Sequence, residues 1–96
     1  MKHYIIAKFK PEITREQQTA MLPDISELFG HLIWMDGINN VDVCQNCIDR
    51  DNRYDLMIEI DMEKEALPTY DACIWHKLWK EKYGKMLEKK TIFDRE

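Results

Sequence analysis

Two stretches with apolar residues at helical spacing, each bracketed by β-rich segments, restrict the folds open to this chain more than any other feature of its sequence. His3-Tyr4-Ile5-Ile6-Ala7-Lys8-Phe9-Lys10 is β-rich, apolar on both parities and closed by Pro11, so it reads as a strand covered on both faces. Thr14 followed by Gln17 has capping-box spacing, and Met21, Leu22, Ile25, Leu28, Phe29, Leu32 and Ile33 continue at helical intervals. Pro23 removes an amide donor inside that pattern, which predicts a kink or restart near Leu22-Pro23-Asp24. Asp36-Gly37 stops the helix. From Ile38 to Cys44 the chain alternates, with Val41 and Val43 on one face, and after the polar connection Ile48 to Arg53 the segment Tyr54 to Asp61 does so again, with Leu56, Ile58 and Ile60 on one face. These two strands form a hairpin. Glu63 to Ala66 reads as a helical turn, and Pro68 to about Leu87 as one second helix carrying Tyr70, Cys73, Ile74, Leu78, Trp79 and Tyr83, its last turns weakened by Gly84. Thr91-Ile92-Phe93-Asp94 supplies a short last strand.

The order β-α-β-β-α-β predicts an α+β, ferredoxin-like architecture in which two helices cover one face of a four-stranded antiparallel sheet. Ninety-six residues fit a single domain, 1–96. The second face of the sheet, with Tyr4, Ile6 and Met57, is apolar and needs a cover. A second copy packed sheet to sheet is the simplest one, so a homodimer is expected.

Composition sets the class. Hydrophobic residues make up 45% and charged residues 33%, the balance of a chain that folds. A net charge of −4 argues against a nucleic-acid binder held by phosphate contacts. No apolar run approaches the roughly 18–20 residues that span a bilayer, and Met1-Lys2-His3-Tyr4 enters strand-like sequence without a signal pattern, so no membrane role and a cytoplasmic location are expected. Three cysteines, an odd number, fit free thiols in a reducing compartment.

Cys44-Gln45-Asn46-Cys47 together with Cys73 and His76 offers C-x₂-C and C-x₂-H pairs, the spacing of a Cys₃His zinc site, provided that a strand end and a helix bring them together. A redox dithiol and structural cysteines are the other readings of those residues. Six lysines, Lys77, Lys80, Lys82, Lys85, Lys89 and Lys90, against Glu81 and Glu88, form either a solvated helical face or a surface that steers an anion. Met21, Met35, Met57, Met62 and Met86 read as core or edge fillers. Trp79 reads as core or interface. No Gly-rich phosphate loop, nucleophile elbow or histidine-pair metalloprotease motif occurs.

In order and spacing, the opening Lys2 to Lys10, the turn Asp36-Gly37-Ile38, the strand Tyr54-Asp55-Leu56, the Tyr70 to His76 interval and the closing Ile92-Phe93-Asp94 resemble the stress-responsive A/B barrel domain family, over nearly the whole chain. The resemblance implies a dimeric α/β barrel closed by two ferredoxin-like protomers. The family usually has His-Pro-x-His at the start of its last long helix; here the segment is Cys73-Ile74-Trp75-His76, with only the second histidine kept. Plant members that cyclise polyketide chains use a tyrosine and that histidine as acid and base, which implies Tyr70 and His76 as catalytic residues. Six positions along a regular helix turn through about 600°, so the two would converge only if a bend intervenes. Trp75 beside His76 is similar to haem-degrading and cofactor-free monooxygenases of this architecture, but the asparagine that those enzymes place on the first strand is absent from Lys2 to Lys10.

His3 shares a strand face with Ile5, Ala7 and Phe9 and is expected to approach the pocket that Tyr70 and His76 border. A neutral histidine takes a proton from an acidic carbon while a tyrosine hydroxyl polarises the adjacent carbonyl, with no metal or organic cofactor required. The expectation is therefore a small-molecule protein with an apolar pocket: either a cofactor-independent cyclase, isomerase or monooxygenase-like enzyme, or a carrier for a small hydrophobic carbonyl compound. A non-catalytic stress-response dimer whose pocket is filled by Trp75 and Trp79 is the second reading, and the zinc or redox module on Cys44, Cys47, Cys73 and His76 the third.

Overall fold

The computed structural model describes every residue from Met1 to Glu96. Four strands, β1 (Lys2–Phe9), β2 (Ile38–Gln45), β3 (Leu56–Met62) and β4 (Leu87–Arg95), form one sheet in the order β2-β3-β1-β4. All three pairings are antiparallel. Helix α1 (Arg15–Gly30) follows β1, and α2 (Leu67–Ala72) and α3 (Ile74–Tyr83) lie between β3 and β4. The ferredoxin-like order read from the sequence is the observed one.

Period-two burial follows directly from the pleat: His3, Ile5, Ala7 and Phe9 of β1 and Leu56, Ile58, Ile60 and Met62 of β3 are all buried, while the alternate residues are half-buried. On the covered face α1 contributes Ile25 and Phe29, the following 3-10 turn contributes Leu32, and α3 contributes Trp79 and Tyr83. Phe29 and Trp79 meet edge to face at 5.3 Å, an arrangement worth about 0.5–1.5 kcal/mol beyond their area. Asp24 of α1 accepts hydrogen bonds from Lys82 Nζ at 2.7 Å and from the Tyr83 hydroxyl, tying α1 to α3. These two donors hold its carboxyl below the usual carboxylate range.

Thr14 and Gln17 form the expected capping box, each side chain bonded to the other's backbone amide. The restart at Pro23 does not occur; α1 runs through it, losing one amide donor but keeping its packed face of Ile25 and Phe29. Gly37 turns the chain into β2 with φ +86°, where a Cβ would lie 2.8 Å from the Cβ of Ala66. Only glycine suits both demands.

Two expectations are corrected. The second long helix is two helices separated at Cys73, whose backbone is extended (φ −74°, ψ 159°). Its Sγ accepts from the amide of His76 at 3.4 Å, an N-cap for α3 that a continuous helix would not need. The last strand is longer than Thr91 to Asp94, because pairing with β1 begins at Leu87 opposite Phe9 and carries the charged Glu88, Lys89 and Lys90 into the ladder. β4 is also an edge strand, exposed along almost all its length, so the helix layer leaves its near face open beside β1.

Candidate functional site

That open strip is where the three residues singled out from the sequence come together. His3 is on the covered face of β1, and only 5% of it is exposed. In the β1–β4 register its cross-strand neighbour is Asp94, which places both side chains on the same face. The imidazole Nδ1 donates to Asp94 Oδ1 at 2.5 Å, a charge-assisted bond between residues 91 positions apart.

Tyr70 and His76 belong to different helices, and the extended residue between them supplies the bend that their spacing requires. Their ring centroids are 4.8 Å apart, and Tyr70 meets the His3 ring edge-on at 5.4 Å. The tyrosine ring is therefore flanked by both imidazoles. His76 Nδ1 donates to the carbonyl of Asp71 at 3.0 Å. A carbonyl only accepts, so the proton is on Nδ1 and Nε2 is left with a free lone pair. Burial chiefly, helped by the nearby charges of Lys80 and Lys90, holds His76 less basic than an ordinary histidine, against the opposing pull of the Asp71 carbonyl. It is thus neutral near pH 7, the state of a proton acceptor.

A cleft of about 310 Å³ between the α2–α3 corner and the β1–β4 edge is lined by His3, Leu67, Asp71, His76, Lys80, Lys90, Ile92 and Asp94. Tyr70 is not part of that lining. It is fully buried behind the two histidines, and its hydroxyl has no hydrogen-bond partner. Burial raises its pKa well above the usual tyrosine value, so the group stays a proton-bearing donor. An unpaired donor in such a place costs roughly 1–3 kcal/mol and is the kind of exception that calls for a functional account. Asp94 was not foreseen as a site residue; the signal for it is the register of β4 on β1.

The remaining candidates lie elsewhere. Cys44 pairs across from Met57 on the open face of the sheet, with Cys47 beyond it in a loop, whereas Cys73 lies in the helix layer. All three are free thiols, and no group of three or more His, Cys, Asp or Glu side chains converges as metal ligands. Burial, Asp42 and Glu59 raise the Cys44 thiol, which disfavours the thiolate that redox exchange needs. Trp79 is core, and Trp75 stacks on His31 at 4.2 Å; neither lines the cleft. A second hollow, of about 270 Å³, lies at the other end of β1 among Lys8, Lys10, Arg15, Gln18, Asp49 and Arg50, and contains no histidine. No helix is long and apolar enough to cross a membrane.

No protein-family model and no curated protein sequence matches the chain. Solved structures do. A dimeric protein of unknown function with a ferredoxin-like fold from Bacteroides fragilis superposes with a TM-score of 0.81 at 14% identity, covering 99% of this chain and 93% of its own. A DABB family protein with a ferredoxin-like fold from Mesorhizobium loti gives 0.72 at 13% identity, covering 99% and 93%. A hydroxynitrile lyase from Passiflora edulis gives 0.69 at 11% identity, covering 96% and 87%. The chain has the ferredoxin-like fold of the Bacteroides fragilis and Mesorhizobium loti proteins, and the resemblance to the A/B barrel family holds at the level of the fold.

Proposed function

We propose that the chain is a cofactor-independent acid-base enzyme of cyclase or isomerase type acting on a small carbonyl compound, with His76 as base, Tyr70 as the donor to the carbonyl oxygen and His3, oriented by Asp94, as the second proton carrier. The observation that carries this reading is the convergence of His3 and His76 at one cleft with the Tyr70 ring packed against both, from one strand and two helices. Nε2 of His76 takes a proton from the carbon beside the carbonyl; the electron pair moves onto the oxygen, where the Tyr70 hydroxyl hydrogen-bonds the enolate; the imidazolium returns the proton at a different atom. In the resting structure the Tyr70 hydroxyl lies behind the cleft wall, so this contact requires the wall to open. A structural neighbour that is a hydroxynitrile lyase supports only the point that this fold accommodates catalysis.

The test is deuterium exchange. Small ketones and oxo acids incubated with the protein in heavy water should lose protons beside the carbonyl faster than in buffer, and His76→Ala and Tyr70→Phe should each remove the excess rate. Exchange that survives in the double variant overturns the assignment.

A second reading is a homodimer without turnover. It is favoured by the dimeric state of the structural neighbours and by Tyr4, Ile6, Met57 and Phe93 on the sheet face that no helix covers, Phe93 being 57% exposed. The dimer itself belongs to both readings, as does a reducing, cytoplasmic setting for three free thiols.

A further inference from the structure

The acid-base cleft contains two cations that its chemistry does not use. Lys80 enters it from α3, one turn beyond His76, and Lys90 from β4, on the same strand face as Asp94. Neither makes an ion pair; the protein's ion pairs draw on Lys2, His3, Lys64 and Lys82. Of the other lysines in that stretch, Lys82 is committed to Asp24 and Lys89 lies 5.3 Å over the Tyr54 ring. Among the carboxylates of the cleft, Asp94 is committed to His3, leaving Asp71 alone against two ammonium groups. The charges of both lysines reach the His76 ring, which puts them within electrostatic range of anything bound beside it. An apolar ketone would gain nothing from them. An anion would gain from both.

Resting on the acid-base reading, we propose that the cleft takes a small oxo acid, a carbonyl compound whose carboxylate is held between Lys80 and Lys90 while its carbonyl lies towards His76. This narrows the hydrophobic carbonyl ligand expected from the sequence to an anionic one. A volume of about 310 Å³ is at the lower end of ligand pockets, which suits a short-chain acid. The same two charges favour the enolate formed by proton removal.

The probes are levulinate and its neutral methyl ester, titrated into the full chain while the imidazole C–H signals of His3 and His76 are followed by NMR. Levulinate should shift both signals saturably and bind about tenfold more tightly than the ester, about 1.4 kcal/mol, with the advantage shrinking as salt is raised. Lys80→Gln combined with Lys90→Gln, both at exposed positions, should make the two probes bind alike. Equal binding to the wild-type chain, an advantage that persists in the double variant, or no shift at either histidine overturns the proposal. Binding is read here without turnover. The acid-base reading fails separately, through exchange that persists in His76→Ala.

Discussion

Tyr70→Phe removes one oxygen and, by the reasoning above, should make the protein more stable while making it less active. The hydroxyl is fully buried and has no partner, so the folded chain bears the cost of taking it out of water with nothing in return. Mutational data put that cost at about 1–3 kcal/mol for a buried unsatisfied polar group. The ring remains, with its packing against His3 and His76. A small void where the oxygen was offsets part of the gain, leaving an expected increase of about 1 kcal/mol and, for a domain of this size, a rise in Tm of about 4–8 °C. Urea unfolding followed by circular dichroism measures it, with both proteins at one concentration because dimerisation would shift apparent stability. A variant less stable than wild type by more than about 0.5 kcal/mol would show that the hydroxyl has a partner in solution, and the argument for a donor held in reserve for a substrate would be lost. Gain of stability with loss of exchange is the joint signature of a functional group maintained against the fold's own preference.

Acidification should weaken the fold through His76. Its folded value lies below the ordinary 6.5, so between the two the unfolded chain binds a proton that the native chain does not; the contribution is complete above 6.5 and is lost as pH falls through that window. Urea midpoints taken across it should slope less in His76→Ala than in wild type, and parallel slopes would contradict the assignment. Gly37→Ala should cost about 2 kcal/mol or more, since it adds a positive-φ penalty to a 2.8 Å approach to Ala66, and a midpoint within error of wild type would refute that geometry. Asp94→Asn, which keeps the shape but removes the charge that His3 points to, should slow exchange while changing stability by no more than about 1 kcal/mol. Sedimentation at micromolar concentration should give twice the 11.6 kDa chain mass, falling to one chain in Ile6→Glu; a wild-type monomer would leave the open sheet face without a cover.

What the sequence discloses here is set by the range of the interaction concerned. Period-two alternation in Leu56 to Ile60 and the Thr14–Gln17 capping box are short-range patterns, and they appear as read. The break at Cys73 left no such mark. Cysteine is not among the favoured N-cap residues, and the helical spacing of Tyr70, Cys73 and Ile74 continues across it. The one hint was functional: Tyr70 and His76 serve a common site only if the helix bends between them, and the bend is there. Register is longer-range still. That Asp94 stands opposite His3 depends on which strand lies beside β1 and by how many residues it is offset, neither of which residue types in β4 declare.

The position of the site follows from a mismatch between layers. Ile25, Phe29, Trp79 and Tyr83 of the helices join the buried parities of β1 and β3 in one core cluster, while the sheet extends one strand further to an exposed β4. Along that step the floor continues and the roof does not. Residues there are half in and half out of the core: His3 buried yet bordering open space, Ile92 apolar yet 46% exposed, Asp94 charged yet paired. A buried imidazole keeps a fixed orientation only if something polar fixes it, and the exposed edge is the one place where a carboxylate does so without itself being taken fully out of water. The break at Cys73 brings α2 and α3 round the same step, with Tyr70 inside and His76 at the mouth. The edge strand that a single protomer leaves unroofed is therefore also what gives the core a titratable opening.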